Sequence, residues 1–489
     1  MAGFDWPCLA LRGVHLVSAW RRKKSTSHLR FLRWCLIMTV MASVAFLGLV
    51  CLSAGLQAQD DFYLYTNLIK NGKGAYEDYV LAGERIRGSV AATLVSYDSV
   101  ERLQEAIRLA ESKAGESEDP ASGSSKQLAR LREALKVLPT GPGRPTPLDF
   151  DRAIARDFGP AWALVLRGNQ KPRISPRSSV DATTLFPEFA QFRSLVRAAM
   201  RKARVEFANG NATGALTTYR DSYRFIQRIG GDTLIARLVT ISCEAILFAD
   251  VERNLTLIPS AGLPDFIADL RSGLSGPPHL VECISVEQEF FRASVNEIVN
   301  KLDSSDPSGA LPQDFDDVSP AEWLSFRAEI MRMSAQERRQ FFKGVLQRHD
   351  SELQAFLAKL GEPENKWPLS EPPARPMGNA SVFLNMHALD TTGIARIEAE
   401  ARTRTRVAMI TLLAREHAWQ HGTYPAGLKD FLPETATIDP LTNQPYKYTI
   451  TNGAVVVKTA AHPVLGEISL RRPPQTDANS ANGGRVILP

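Results

Sequence analysis

Residues 233 to 251 read TLIARLVTISCEAILFADV, and this stretch decides the class of fold. It is apolar almost all round, yet it carries Arg237 and Glu244 within about five turns of helix. Lipid-facing helices seldom hold such charges, whereas a helix enclosed by other helices is apolar on every side. The stretch is therefore expected as the buried central helix of a helical bundle and not as a membrane span. Its neighbours agree with that reading. On the N-terminal side Phe189, Phe192, Val196, Ala199, Ala203 and Phe207 form one apolar stripe at helical spacing. Asn209-Gly210-Asn211 breaks it, and a second helical pattern runs from Ala215 to Ile229, which predicts a helical hairpin. On the C-terminal side Ile284, Phe291, Val295, Ile298 and Leu302 supply another core-facing stripe.

Four helix starts are legible from a capping side chain placed three residues before an acid. They are Asp98-Ser99-Val100-Glu101, Thr146-Pro147-Leu148-Asp149, Ser319-Pro320-Ala321-Glu322 and Ser334-Ala335-Gln336-Glu337. Pro147 and Pro320 fall at the first helical position, where a missing N–H costs little. Three stretches rich in Pro, Gly, Ser and charge are expected as loops or hinges: Glu116 to Lys126, Leu138 to Pro147 and Gly361 to Asn379. A long helix is predicted from Thr392 to His421, stopping at Gly422. Ile394, Ile397, Ala401, Ala408, Leu412 and Trp419 lie near its apolar face, and Glu398, Arg402, Arg406 and Glu416 largely on others. Leu428 to Leu432 then reads as a short helical turn and Asp439-Pro440 as a bend. Tyr446 to Thr459 reads as a β-hairpin turning at Asn452-Gly453, because that pair tolerates positive backbone angles.

The 489 residues are 44% hydrophobic and 23% charged, a balance that excludes collagen-like, wholly disordered and multi-span membrane classes. The formal net charge of +5 is concentrated at one end. Residues 1 to 33 hold seven basic side chains against Asp5, a local +6, which leaves −1 for the rest. A body so nearly neutral lacks the basic face that nucleic acid requires, so no nucleic-acid partner is expected. The basic block directly precedes WCLIMTVMASVAFLGLVCLSAGL, residues 34 to 56, which carry no charge and suffice to cross a bilayer. Positive charge before the span predicts a cytoplasmic N-terminus and an extracytoplasmic main body. A cleaved signal peptide ending near Leu56-Gln57-Ala58 is the alternative. Five cysteines are too few for a disulfide framework. Cys243 and Cys283 are expected as small buried hydrophobes, a bond between them being the alternative.

The fold expected is mainly α: a membrane-anchored helical bundle with a small C-terminal α+β hairpin module on a long helix. Its divisions are a basic tail (1–33), a transmembrane helix (34–56), a helical stalk with a flexible linker (57–145) and a helical bundle (146–378). A long helix (379–422), a hairpin module (423–470) and a disordered tail (471–489) complete it.

The run HGTYPAGLKDFLPETATIDPLTNQPYKYTITNGAVVV, after a long helix, resembles the end of type II secretion pseudopilins. Tyr424, Pro425, Asp439, Pro440, Asn443, Pro445, Tyr446 and Tyr448 carry the likeness. In pseudopilins the membrane helix continues directly into this module, whereas here the uncharged span lies more than 300 residues upstream. The whole order of anchor, helical body, apolar helix, long helix and Tyr-Pro module resembles a family of single-pass, membrane-anchored bacterial proteins. That resemblance implies the bacterial inner membrane and brings no activity with it.

Chemistry is sparse. Glu416-His417-Ala418-Trp419-Gln420-His421 inverts the zinc-protease order, and its two histidines, four apart on one helical face, lack evident third and fourth ligands. Ser272-Gly273-Leu274-Ser275-Gly276-Pro277 lacks the strand-to-helix setting of a nucleophile and reads as an interhelical turn. Glu282 and Glu289 read as a solvated face rather than a glycosidase pair. No catalytic residue, cofactor or metal ligand is assigned. The expected function is a non-catalytic, extracytoplasmic scaffold or protein-interaction domain, with membrane lipid met through residues 34–56 and a protein partner beyond. The alternatives are a relative of secretion-pilus assembly and an extracytoplasmic hydrolase.

Overall fold

The computed structural model describes residues 74–97, 99–115, 123–139, 145–173, 186, 188–231, 233–275, 279–304, 310–311, 320–370, 391–451 and 453–470. The expected tail, membrane span and start of the stalk (1–73) lie outside these residues, as does the C-terminal tail (471–489). Among the described residues no helix is long and apolar enough to cross a membrane. The chain divides into two units, Met1–Thr66 with Leu109–Leu128, and Asn67–Arg108 with Ala129–Pro489. In the first unit Ala110 is buried and Leu109 exposed. Residues 109–128 apart, the described residues belong to the second unit.

The chain is mainly helical with a small hairpin, as its periodicity predicts. Among the described residues the first seven helices are α1 (Ala75–Arg87), α2 (Val90–Leu94), α3 (Val100–Gly115), α4 (Gly123–Lys136), α5 (Pro147–Asn169), α6 (Glu188–Ala208) and α7 (Ala212–Ile229). They are followed by α8 (Leu234–Arg253), α9 (Leu263–Ser275), α10 (His279–Leu302), α11 (Pro320–Arg332), α12 (Ala335–Leu360) and α13 (Thr391–His421).

Local chemistry sets the helix starts. At α5 the Asp149 carboxylate accepts from the Thr146 N–H at 2.9 Å and from its hydroxyl at 2.7 Å. At α12 the Glu337 N–H donates to Ser334 Oγ at 3.3 Å while the Ser334 N–H donates to Glu337 Oε2 at 2.8 Å, satisfying both ends of the first turn. α11 begins at Pro320 as predicted. At α3 the capping oxygen belongs to Ser99, which accepts from the Arg102 N–H at 3.3 Å, and the expected Asp98 lies outside the described residues.

The hairpin of α6 and α7 forms around Gly210, with Asn211 accepting from the Gly214 N–H. α1, from the stretch expected as a stalk, packs on α5 and α6. Rings fill that seam: Tyr79 lies 4.8 Å from Phe225, and Phe192 meets both Tyr76 and Phe225 at 5.6 Å, all edge-on, the arrangement that ring quadrupoles favour. α8 touches α6, α7, α10 and α13. It is not enclosed on every side, because Ile235 (49%) and Leu238 (39%) are exposed among the described residues.

Two apolar clusters continue the core. Phe291, Val295 and Leu302 of α10 pack with Trp323, Phe326 and Ile330 of α11 and with Phe342 and Val345 of α12. Leu353, Phe356 and Leu360 of α12 pack with Leu280, Ile284 and Ala395.

Two expected loops are corrected. The last residues of Glu116 to Lys126 belong to α4, which starts at Gly123. The first ten of Gly361 to Asn379 form no hinge: Glu364–Lys366 makes a 3-10 turn, and Trp367 and Leu369 are buried in the second cluster. Two large apolar side chains and one buried acid outweigh the proline content there.

α13 ends at Gly422. Leu428–Asp430 follows as a 3-10 turn, then β1 (Ile438–Asp439) antiparallel to β2 (Gln444–Pro445). β3 (Lys447–Thr451) and β4 (Ala454–Lys458) form the hairpin, with Tyr448 opposite Val457 and Ile450 opposite Val455. Gly453 takes φ +72°, a backbone conformation that glycine enters without strain. Val455 and Val457 are buried, and β4 lies on α13. Trp419, expected in the core, is 49% exposed; its indole N–H donates to the Ile258 carbonyl at 3.0 Å, and Arg415 lies over its ring at 4.7 Å.

Candidate functional site

The two charges that marked the opening stretch are the centre of the most concentrated polar cluster. Arg237 points from α8 into the interior, 4% exposed. Its Nε donates to Glu398 Oε2 at 2.7 Å, one Nη to Glu398 Oε1 at 3.1 Å, and the other to Glu244 Oε1 at 3.4 Å. Glu398, on α13, is 1% exposed, which corrects its expected place off the core face. Gln227 of α7 donates to Glu244 Oε1 at 2.8 Å, while Glu244 Oε2 has no hydrogen-bond partner among the described residues. Burial pushes the Glu244 carboxyl above the ordinary range; Arg237 opposes this and Glu398 adds to it. Burial also works against the charge on Arg237, but Glu398 and Glu244 outweigh it and hold the guanidinium above its usual value.

A second triad lies one turn further along α13. Glu364 accepts from Arg402 Nε at 2.7 Å and from Arg406 at 2.6 Å. Burial pushes Glu364 up, yet the two guanidinium groups outweigh it and keep its carboxyl below the ordinary range. Arg402 also donates to the Leu274 carbonyl at 2.9 Å, at the end of α9.

One triad has a carboxylate in excess and the other a guanidinium. They meet at a cavity of about 10 Å³ lined by Tyr223, Gln227, Arg237, Glu244, Glu398 and Arg402, the size of a single water. Gly273 of α9 closes one wall: a Cβ there would lie 2.2 Å from the Tyr223 hydroxyl, so no side chain fits. The arrangement neutralises buried charge between four helices and the segment after α12. A cavity of this size admits no organic substrate.

The other residues singled out in the sequence lie apart from this cluster. The rings of His417 and His421 lie 4.1 Å apart between centroids, tilted by 40°, at the end of α13, with Phe431 6.3 Å from His417. Among the described residues no three His, Cys, Asp or Glu side chains are placed to hold a metal. Ser272 and Ser275 lie inside α9, not in a turn, and Gly276-Pro277 falls outside the described residues. Glu282 and Glu289 are exposed on α10, Glu282 being 3.6 Å from Arg173. Cys243 and Cys283 are buried thiols, and burial pushes the Cys243 thiol up to about 12.

Sequence reasoning missed Glu364, hidden in a stretch that reads as a hinge, and the inward aim of Glu398. The sequence carried a signal that partners were needed, without naming them. Two charges seven apart on an apolar helix need partners, and Glu398, Arg402 and Arg406 recur at four-residue steps along one helical face.

The Tyr-Pro to hairpin run is tied together at two points, Asp439 with Tyr446 and Pro425 with Tyr448. Asp439 is fully buried; Oδ1 accepts from the Leu441 N–H at 3.2 Å and the Tyr446 hydroxyl at 3.3 Å, and Oδ2 from the Thr442 hydroxyl at 2.9 Å. The Tyr448 hydroxyl donates to the Pro425 carbonyl at 2.9 Å. No protein-family model, curated protein or solved structure matches the chain.

Proposed function

We propose that the chain is a single-pass protein of the bacterial inner membrane, N-terminus cytoplasmic, whose extracytoplasmic part is a helical bundle serving as a non-catalytic scaffold for another protein. The observation that carries this reading is the closure of the buried charges on themselves. Arg237, Glu244 and Glu398, with Glu364, Arg402 and Arg406, spend most of their hydrogen bonds on one another, and the rest on Gln227 and the Leu274 carbonyl, around a water-sized space. Groups committed in this way fix the relative positions of helices, and the one oxygen of the set left without a hydrogen-bond partner among the described residues, Glu244 Oε2, belongs to a side chain lining that water-sized space, where no organic substrate fits. Crosslinking in intact membranes, with identification of the captured proteins, tests the reading. A stoichiometric protein partner on the extracytoplasmic side supports it. Hydrolysis of an ester, peptide or glycoside that is lost in Glu398→Gln, while the fold is kept, counts against it.

A second reading, kinship with type II secretion or pilus assembly, is favoured by the Asp439-centred turn and the order of long helix, Tyr-Pro and hairpin. Co-purification with pilin-like subunits supports it. Their absence from material that retains other membrane partners removes it.

A further inference from the structure

β3 is the outer strand of the C-terminal hairpin. Its one strand neighbour among the described residues is β4, so its other edge carries no strand among them. The parity of that edge follows from the register. Thr451 faces Ala454 across a two-residue connection, and in such a hairpin the pair flanking the turn exchanges both backbone bonds. Alternation then turns the amides and carbonyls of Ile450 and Tyr448 away from β4. Tyr446 obeys the same parity: its N–H points outward and donates to the Thr437 carbonyl at 2.9 Å. Beyond that bond, two outward N–H and two outward C=O groups remain on β3. On the same strand Ile450 is 46% exposed although Val455 opposite it is buried.

We propose that this edge pairs with β3 of a second copy of the chain, antiparallel about a two-fold axis through Thr449. The occupant is a second copy because the edge is complementary to itself. With the axis at Thr449, Tyr448 faces Ile450 of the other copy and Ile450 faces its Tyr448. All four are residues whose backbone groups point outward, so four inter-strand bonds form and a four-stranded sheet results. A shift of the axis by half a residue sets outward groups against inward ones. The side chains agree with the backbone. Each exposed Ile450 lands on the Tyr448 of the other copy, an aromatic and β-branched pair of the kind that stabilises sheets. Tyr448 is already fixed by its bond to Pro425 and by Phe431, 6.1 Å away. Lys447 falls opposite Thr451, and its ammonium is taken by Glu467, so no like charges meet. A two-stranded sheet is marginal in water, and four strands remove that weakness.

The test uses the full chain with Cys8→Ser, Cys35→Ser and Cys51→Ser, oxidised with copper phenanthroline. Thr449→Cys places two thiols across the axis in the close type of pair, with Cα atoms about 4.5 Å apart, within reach of a disulfide. Thr451→Cys places them about 13 Å apart, beyond that reach. The expected result is a disulfide-linked dimer for Thr449→Cys and a yield lower by about tenfold or more for Thr451→Cys. Adding Ile450→Pro to Thr449→Cys is expected to lower the yield to the Thr451→Cys level, because proline there removes an outward N–H and no bond to β4. Protease protection of Tyr446 to Thr459 reports that the hairpin survives in each variant. Equal yields for the two cysteines, no dimer from a protected Thr449→Cys, or an adduct with a different protein each overturn the proposal.

Discussion

Replacing Arg237 by Met tests whether the buried triad behaves as a unit. The substitution keeps most of the side-chain volume and removes the cation. Glu398 then loses donors at 2.7 and 3.1 Å on its two oxygens, and Glu244 loses one at 3.4 Å. Breaking a buried ion pair by deleting one partner costs about 3 to 5 kcal/mol, because the remaining charge stays out of water. With an unfolding entropy of about 2.1 cal/mol/K per residue over the roughly 330 described residues, that loss lowers Tm by about 4 to 7 °C. Arg237→Met with Glu398→Leu removes both charges and leaves Glu244 with its Gln227 bond. Replacing a whole buried pair by apolar side chains is commonly neutral or stabilising, so the double variant is expected to recover part of the loss, Glu244 still lacking its cation. The pH dependence has a definite sign. Glu244 is already pushed up by burial, and losing Arg237 pushes it further. A carboxyl raised in the folded state stabilises below its unfolded pKa and loses that contribution as pH rises through its folded pKa, so the deficit of Arg237→Met grows from acid toward neutral pH. Thermal unfolding followed by circular dichroism at several pH values reads all of this. A fall of less than about 1 °C in Arg237→Met, or a double variant as unstable as the sum of its singles, refutes the reasoning.

Glu364→Gln removes the carboxylate that fastens residues 361 to 370 to α13; losing charge-assisted bonds worth about 1.5 to 3 kcal/mol should raise protease cleavage in that segment by about ten- to a hundredfold, and unchanged protection contradicts this. His349 is 4% exposed, stacked on Phe291 at 3.9 Å, with Asp350 and Glu352 on its own helix and Arg292 of α10 as the charges facing it. Burial holds its pKa below the usual value, so its stabilisation is present above the unfolded value near 6.5 and is lost as pH falls; His349→Gln should flatten the acid side of the Tm profile, which an unaltered slope would disprove. Gly453→Val should destabilise the hairpin by about 1 kcal/mol or more and speed cleavage between Tyr446 and Thr459, while Gly453→Asn restores most of the loss; nothing lies within 4 Å of a Cβ at that position, so the cost is in the backbone alone.

What the sequence made legible was local. Capping residues located the starts of α5 and α12, and Asn452-Gly453 fixed the hairpin register, because each depends on side chains within a few positions of the feature. The inward aim of Arg237 was legible too, since an apolar helix leaves a charge nowhere else to go. Its partner was not: Glu398 lies 161 positions away, and only packing of α8 on α13 brings the two together. Glu364 was hidden for the opposite reason. Proline and glycine around it describe how the chain turns and say nothing of what the turn rests on. Trp419 shows the limit of reading a stripe, since the last turn of α13 runs past its apolar neighbours and the ring is held by Arg415 and the Ile258 carbonyl.

α13 runs unbroken for 31 residues, with Glu398, Arg402 and Arg406 near one end and the support for β4 further along. A helix transmits phase as well as distance. Inserting one residue between Glu398 and Leu412 turns everything beyond it by about 100° and advances it by about 1.5 Å. The hairpin would then leave its seat or the Glu398 carboxylate would swing away from Arg237, since one rigid rod cannot satisfy both. A one-residue insertion or deletion inside α13 between these two anchors is therefore expected to unseat one of them, whereas a substitution there keeps both in phase.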